Sequence, residues 1–206
     1  MGGEKRQGDG PLGASDKVLV RRYCAGEKEM MALIYRRYKD KVFATAYHIL
    51  GNRSEAEEVL QETFLNLMRK AHTYRGQSEF STWLYRICVN AALSWRRRLL
   101  RAGRWHYVPA AHEAQIPPPE EVERTSTLAQ RDEQAEFVQQ ALARLSPRLR
   151  AVIVLRYMLG LSYKEVAEAV GCSIGTVKSR LNRAHRRLEP LLRESLGDYL
   201  PEGEEK

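Results

Sequence analysis

Residues Leu161 to Leu188 read LSYKEVAEAVGCSIGTVKSRLNRAHRRL, and this stretch decides the fold. Ser162 with Glu165 forms a capping box, which predicts the start of a helix. Val166, Ala167 and Val170 give that helix an apolar face. Gly171 supplies the tight turn, because glycine adopts positive φ without strain. Ser173 then caps a second helix with apolar residues Ile174, Val177, Leu181, Ala184 and Leu188. At ~100° per residue these fall within about 80° of one another. Lys178, Ser179, Asn182, Arg183 and Arg186 take the opposite face, and no acid stands between Ser173 and Leu188. A solvated helix face normally mixes signs. An apolar side backed by Lys, Arg, Asn and Ser describes a helix-turn-helix whose second helix enters a DNA major groove.

The charge of the whole chain agrees. Its 206 residues carry a formal net charge of +8, allowing one large or two small domains. Residues 146–193 hold ten basic and three acidic residues, and residues 15–102 hold seventeen and nine. Residues 103–137 and 194–206 are each at −4. Two basic blocks flanking an acidic segment imply two separate nucleic-acid contacts. Binding to a membrane surface is the weaker reading: no apolar run approaches the ~18 residues of a spanning helix. The opening MGGEKRQGDGPLG lacks an apolar signal core, so a cytoplasmic protein is expected.

Chemistry is not in view. Cys24, Cys88 and Cys172 are too far apart for zinc-ligand spacing, and an odd number suits reduced thiols packed among helices. The histidines show no paired spacing. No phosphate loop, nucleophile elbow or carboxylate pair appears, so no catalytic residue, metal or cofactor is expected, and nothing argues for an enzyme.

The remaining pattern is helical, and an all-α fold of two small domains joined by an extended linker follows. Short and long helices are expected over 16–25 and 27–50, ended by Gly26 and Gly51. Ser54 with Glu57 suggests a second capping box, opening a helix to about Ala71. A loop at Tyr74–Ser78 precedes a helix over roughly 79–101 that ends in arginines, which suit a helix C-terminus. Periodicity is lost from Gly103 to about Thr127, where Pro117, Pro118 and Pro119 lie among glutamates. A second domain begins near Leu128. There Phe137 to Leu145 marks one helix, and Ser146–Pro147 caps and starts the next. Val152 to Leu155 alone could be a strand, but the Ser-Pro start and Gly160 stop favour a helix. The boundaries are thus 15–102, 103–127 and 128–195.

Three segments together resemble the extracytoplasmic-function (ECF) branch of the bacterial sigma-70 family: EAEEVLQETFLNLMRK (Glu55 to Lys70), YRGQSEFSTWLYRICVN (Tyr74 to Asn90) and Leu145 to Leu188. The resemblance implies a region 2-like domain, a region 4-like domain and no region 3. It implies a transcription initiation factor that binds core RNA polymerase through the β′ clamp and β flap, with an anti-sigma factor as a candidate partner. Glu55, Glu58, Gln61, Glu62 and Leu65 correspond to the clamp-docking helix. Tyr74, Arg75, Gly76, Ser78, Trp83, Asn90 and Arg97 correspond to the part that captures an extruded minus-ten base. Ser173, Thr176, Lys178, Ser179, Asn182, Arg183, Arg186 and Arg187 correspond to positions that read or hold the minus-thirty-five duplex.

Residue chemistry suits these roles. Base capture encloses an unstacked base between aromatic and polar groups, which Tyr74, Gly76 and the Asn90 amide supply. For Trp83 taken alone, core packing is the favoured reading. Two rivals remain at this point: a helix-turn-helix operator-binding regulator that never touches polymerase, and a single-stranded nucleic-acid binding module.

Overall fold

The computed structural model describes residues 13–103 and 137–196, and among them all regular structure is helical. The expected linker beyond Gly103, the second domain's start near Leu128 and the acidic tail lie outside the described residues. The first domain holds α1 (Asp16–Cys24), α2 (Glu29–Leu50), α3 (Arg53–Lys70), a 3-10 turn (Ala71–Thr73) and α4 (Phe80–Arg101). The second holds α5 (137–143), α6 (Pro147–Ile153) running into a π-helical stretch (Val154–Met158), α7 (Tyr163–Val170) and α8 (Ile174–Leu196). No described helix is long and apolar enough to cross a membrane.

Local signals place most boundaries. Gly51 ends α2 at φ +76°, and Gly160 and Gly171 turn the chain at +68° and +66°. The capping box at Ser54 does not form. Asn52, extended directly after the left-handed Gly51, takes the cap instead, and its side-chain oxygen accepts the Glu55 amide at 3.0 Å. Ser54 is already inside the helix. Ser146 holds the N-cap position extended, with Pro147 in the first turn, but its hydroxyl makes no capping bond. Residues 152–155 are helical, not strand. The cysteines diverge from one another: Cys88 is buried, Cys172 half-buried and Cys24 exposed.

The first core gathers Ile34, Val42, Ile49, Val59, Leu67, Leu84 and Val89, all at 0 % exposure. The second gathers Val152, Leu155, Val166, Val177 and Ala184 around α6 and α8. The two domains also touch. α7 packs along α4 and α6 against α2. Arg150, only 2 % exposed, bridges them: its guanidinium donates to the Leu142 and Ile49 carbonyls at 2.8 Å and to that of Leu145 at 3.5 Å. Beside it the Gln139 amide hydrogen-bonds His48 at Nδ1.

Burial, helped by the Arg150 charge, pushes the His48 imidazole down to about 4. An unfolded histidine near 6.5 binds its proton first as pH falls. The stability this neutral ring contributes is therefore present above pH 6.5 and lost on acidification toward pH 4. Thermal melts at pH 7 and pH 5 should show the loss, and His48→Asn should reduce the difference between them.

Candidate nucleic-acid and polymerase interfaces

The recognition helix is assembled from its caps outward. Ser162 and Glu165 form the expected capping box: the Ser162 amide and hydroxyl donate to Glu165 Oε2 at 2.8 and 2.6 Å, and the Glu165 amide donates back to Ser162 Oγ at 3.3 Å. These bonds hold the Glu165 carboxyl below its usual range. After Gly171, Ser173 Oγ accepts the Thr176 amide at 3.1 Å and starts α8. Val177, Leu181 and Ala184 are buried against the second core. Ile174 departs from the expected apolar stripe. It is 44 % exposed, although its angle places it on the side of Val177 and Leu181.

Opposite that core, Lys178, Ser179, Asn182, Arg183, Arg186 and Arg187 are all exposed. Among the described residues none of these cations forms an ion pair. The Arg183 guanidinium folds back on the preceding turn, donating to the Ser179 carbonyl at 3.3 Å. The Ser179 hydroxyl is itself held by the Thr176 carbonyl at 3.1 Å. Tyr163 was invisible as a functional position from sequence. It is 40 % exposed, and its ring carries Arg156 at 5.0 Å and Lys178 at 6.0 Å, so it orients one cation of the face.

Tyr74 closes its loop on itself. Its hydroxyl donates to the Ser78 carbonyl at 2.8 Å, while its ring meets Phe80 and Trp83, each at 5.4 Å. Gly76 stands at φ +69°, and a Cβ there would lie 2.8 Å from Lys17 Cε. Lys17 belongs to the loop's surroundings although nothing in the sequence links the two. The start of α1 is anchored there by Asp16, which pairs with Arg37 and accepts the Tyr38 hydroxyl, both at 2.5 Å. Arg75 points outward, exposed. Because the Tyr74 ring is part of the packing that shapes its loop, Tyr74→Ala should cost about 1–3 kcal/mol of stability. Tyr74→Phe loses one hydrogen bond and should cost about 0.5–1.5 kcal/mol. Denaturant titrations of both variants check this.

Trp83, Asn90 and Arg97 lie seven residues apart and so share one stripe of α4. Trp83 is 6 % exposed, Asn90 and Arg97 are exposed, and Arg97 donates to the Ser94 hydroxyl at 2.9 Å. Asn90 opens onto a groove with Trp83, Arg86 and Lys70. Tyr74, Gly76 and Ser78 line a different groove. The expected capture residues are thus divided between two neighbouring grooves, with Trp83 lining one and packed on Tyr74 of the other.

On α3, Glu58, Gln61, Glu62 and Leu65 come together in one groove with Arg69 and Trp95. Glu62 pairs with Arg98 at 2.7 Å. Leu65 is 52 % exposed and Met68 46 %, two apolar side chains one turn apart on α3. Glu55 stands apart from that groove. Its amide receives the Asn52 cap, and burial raises its carboxyl against the opposing pull of Arg96.

Comparison with known proteins matches this arrangement. The Sigma-70 region 2 family matches residues 34–102, and the Sigma-70 region 4 family matches residues 137–188. The RNA polymerase sigma-H factor of Pseudomonas aeruginosa is 33% identical over 195 residues, covering 87% of this chain and 97% of that protein. The ECF RNA polymerase sigma-E factor of Haemophilus influenzae is 32% identical over 184 residues, covering 85% and 94%. Among solved structures, the sigma factor RpoE of Bartonella quintana, seen with the anti-sigma factor NepR, superposes with a TM-score of 0.62. It is 27% identical, and the match covers 77% of this chain and 94% of that one. CnrH, seen with the cytosolic domain of CnrY, shares the fold at 23% identity and a TM-score of 0.64, over 88% of this chain and 99% of that one. Two helical domains, a basic recognition helix and relatives that span nearly their whole length lead to one conclusion: the chain belongs to the sigma-70 family, among its ECF RNA polymerase sigma factors.

Proposed function

We propose that this sigma factor brings core RNA polymerase to promoters through one polymerase contact and two separate DNA contacts. Residues 15–102 serve as the first unit, 103–127 as the tether and 128–195 as the second. The α3 groove of Glu58, Gln61, Glu62 and Leu65 docks on the β′ clamp, with Glu55 supporting the helix, and the second domain meets the β flap. The loop bearing Tyr74, Arg75, Gly76 and Ser78, with Trp83, Asn90 and Arg97 on α4, holds the melted minus-ten strand. Stacking on an aromatic contributes about 1–3 kcal/mol per base. Lys178, Ser179, Asn182, Arg183, Arg186 and Arg187, with Ser173 and Thr176 at the helix start, meet the minus-thirty-five duplex. An anti-sigma factor is the regulatory partner, and the work is done in the cytoplasm without catalytic chemistry of the chain's own.

The observation that carries this reading is the pairing of an acid-free basic face on α8 with a separate loop and stripe on α4. An operator-binding regulator has no use for the second of these. Arg183 stands mid-face, and an arginine there pairs bidentately with guanine once it leaves the Ser179 carbonyl. Arg183→Ala should cost about 1–3 kcal/mol on the cognate element and relax specificity at one base pair. Arg186→Ala and Arg187→Ala should weaken all sequences alike and lower the salt slope by about one each. Binding titrations on cognate and scrambled duplexes at several salt concentrations decide it. Equal losses on both duplexes for Arg183→Ala would remove base readout from the account.

A further inference from the structure

Two rows of residues run side by side along the exposed side of α8. Residues four apart lie one above the other on a helix. Lys178, Asn182 and Arg186 therefore form one row, and Ser179 and Arg183 the other. One turn earlier the first row begins at Ile174 and the second at Gly175, and every member of both rows is exposed. The rows change character at this leading end. Polar and cationic side chains give way to one branched aliphatic side chain beside a stretch of bare backbone.

The fold accounts for neither residue. Ile174 is 44 % exposed, whereas Val177, Leu181 and Ala184 are 0, 3 and 0 % exposed, so Ile174 adds little to the core. Among the described residues of α8 it is the one large hydrophobic left exposed. Gly175 is helical, and a Cβ there would meet only Ser173 Oγ, at 3.8 Å, an ordinary contact. Inside a helix glycine is disfavoured relative to alanine, and here neither a turn nor a tight internal neighbour requires it. What glycine leaves is room for a ligand to approach the backbone closely.

The leading turn of a recognition helix is the part whose side chains meet base edges. Phosphates and polar base atoms offer an isoleucine nothing. The apolar feature of the major groove is the C5-methyl group of thymine. We propose that Ile174 and Gly175 form a seat for one thymine methyl: Ile174 is its apolar wall, and Gly175 lets the base edge close on that wall. The pair then specifies one T·A base pair of the duplex element by apolar contact, separately from the guanine read by Arg183. This inference rests on the reading of α8 as a duplex reader and on no contact with polymerase.

The test needs no promoter known beforehand. The full chain, with and without core polymerase, selects binders from a duplex library randomised over about 20 base pairs. The selected motif is then remade with each thymine replaced in turn by deoxyuridine, which keeps the hydrogen-bonding edge and removes only the methyl. Wild type should lose about three- to five-fold at one thymine, the effect of one buried methyl. That base pair should differ from the one Arg183→Ala relaxes. Ile174→Ala should bind the thymine duplex weaker by the same factor and lose nothing further at uracil. It should also melt close to wild type, because the side chain is already exposed. Gly175→Ala should melt no lower than wild type yet bind the motif about three-fold weaker or worse. Uracil tolerated by wild type at every position overturns the proposal, as does a uracil loss that persists undiminished in Ile174→Ala. Failure to select a thymine-containing motif overturns it too, and so does a Gly175→Ala chain that binds like wild type. Absence of any association with core polymerase would instead sink the sigma reading, and the selection with the free chain would still decide the seat.

Discussion

Arg150→Met should destabilise the protein by about 2–4 kcal/mol, the largest stability loss expected from any single charged residue here. The guanidinium is not a surface charge that happens to be covered. Three of its acceptors, Ile49, Leu142 and Leu145, lie at the C-terminal ends of α2 and α5 or just past them. Carbonyls at a helix end are short of intrahelical partners, although Leu142 also accepts the Leu145 amide at 3.0 Å, and the helix dipole leaves that end negative. One planar fork therefore meets helix-end acceptors from two domains. Removing it leaves them under-satisfied in a site that is 2 % exposed, and the relief of no longer burying a cation offsets only part of that cost. Arg150→Lys should recover less than half, since a single ammonium cannot reproduce the fork. Arg148→Met, two residues away and exposed, should fall within about 0.5 kcal/mol of wild type. Denaturant unfolding of the three variants gives the comparison.

The second large effect is on partnership. Reversing Glu58 and Glu62 together to lysine should weaken association with core polymerase by about 2–4 kcal/mol, or ~30-fold and more. Both carboxylates stand in the α3 groove with the exposed Leu65. The fold should tolerate the change. Glu58 is exposed, and the Glu62–Arg98 pair lies at the surface, where such pairs contribute about 0–1 kcal/mol. Glu57→Lys, which lies outside that groove and pairs with Arg53, should leave binding nearly unchanged. The loss should shrink as salt rises, because exposed charges are screened within about 10 Å at 0.1 M.

Legibility in the sequence followed the range of the interaction. The frame of the helix-turn-helix was readable because its determinants are local: Ser162 with Glu165, Gly171, Ser173, and a 3.6-residue period. Where two local signals competed, the backbone decided. Asn52 wins the α3 cap over Ser54 because Gly51 delivers the chain extended at Asn52. Ile174 fitted the apolar stripe by angle yet lies exposed, since periodicity says which side a residue faces and not how far its neighbours extend. The Tyr74 loop was legible as a loop, but its ring contacts with Phe80 and Trp83 were not. Lys17 beside Gly76 lies 59 positions earlier in the chain, and Thr82 meets Glu165 across 83. No propensity or spacing encodes such meetings. Arg150 looked like one more basic residue of a basic helix. Only the fold reveals that it faces inward, 101 positions from its Ile49 acceptor.

The central claim is that this chain gives core polymerase its choice of promoter. The most direct measurement is to add the purified protein to bacterial core RNA polymerase and sequence the transcript starts made from its own genomic DNA. A small set of discrete starts that share upstream elements near minus ten and minus thirty-five is expected. Those starts should be absent with core enzyme alone and depleted with the Glu58→Lys, Glu62→Lys variant. Starts that are identical with and without the protein, from a chain that nonetheless binds duplex DNA, would contradict it and leave an operator-binding regulator in its place.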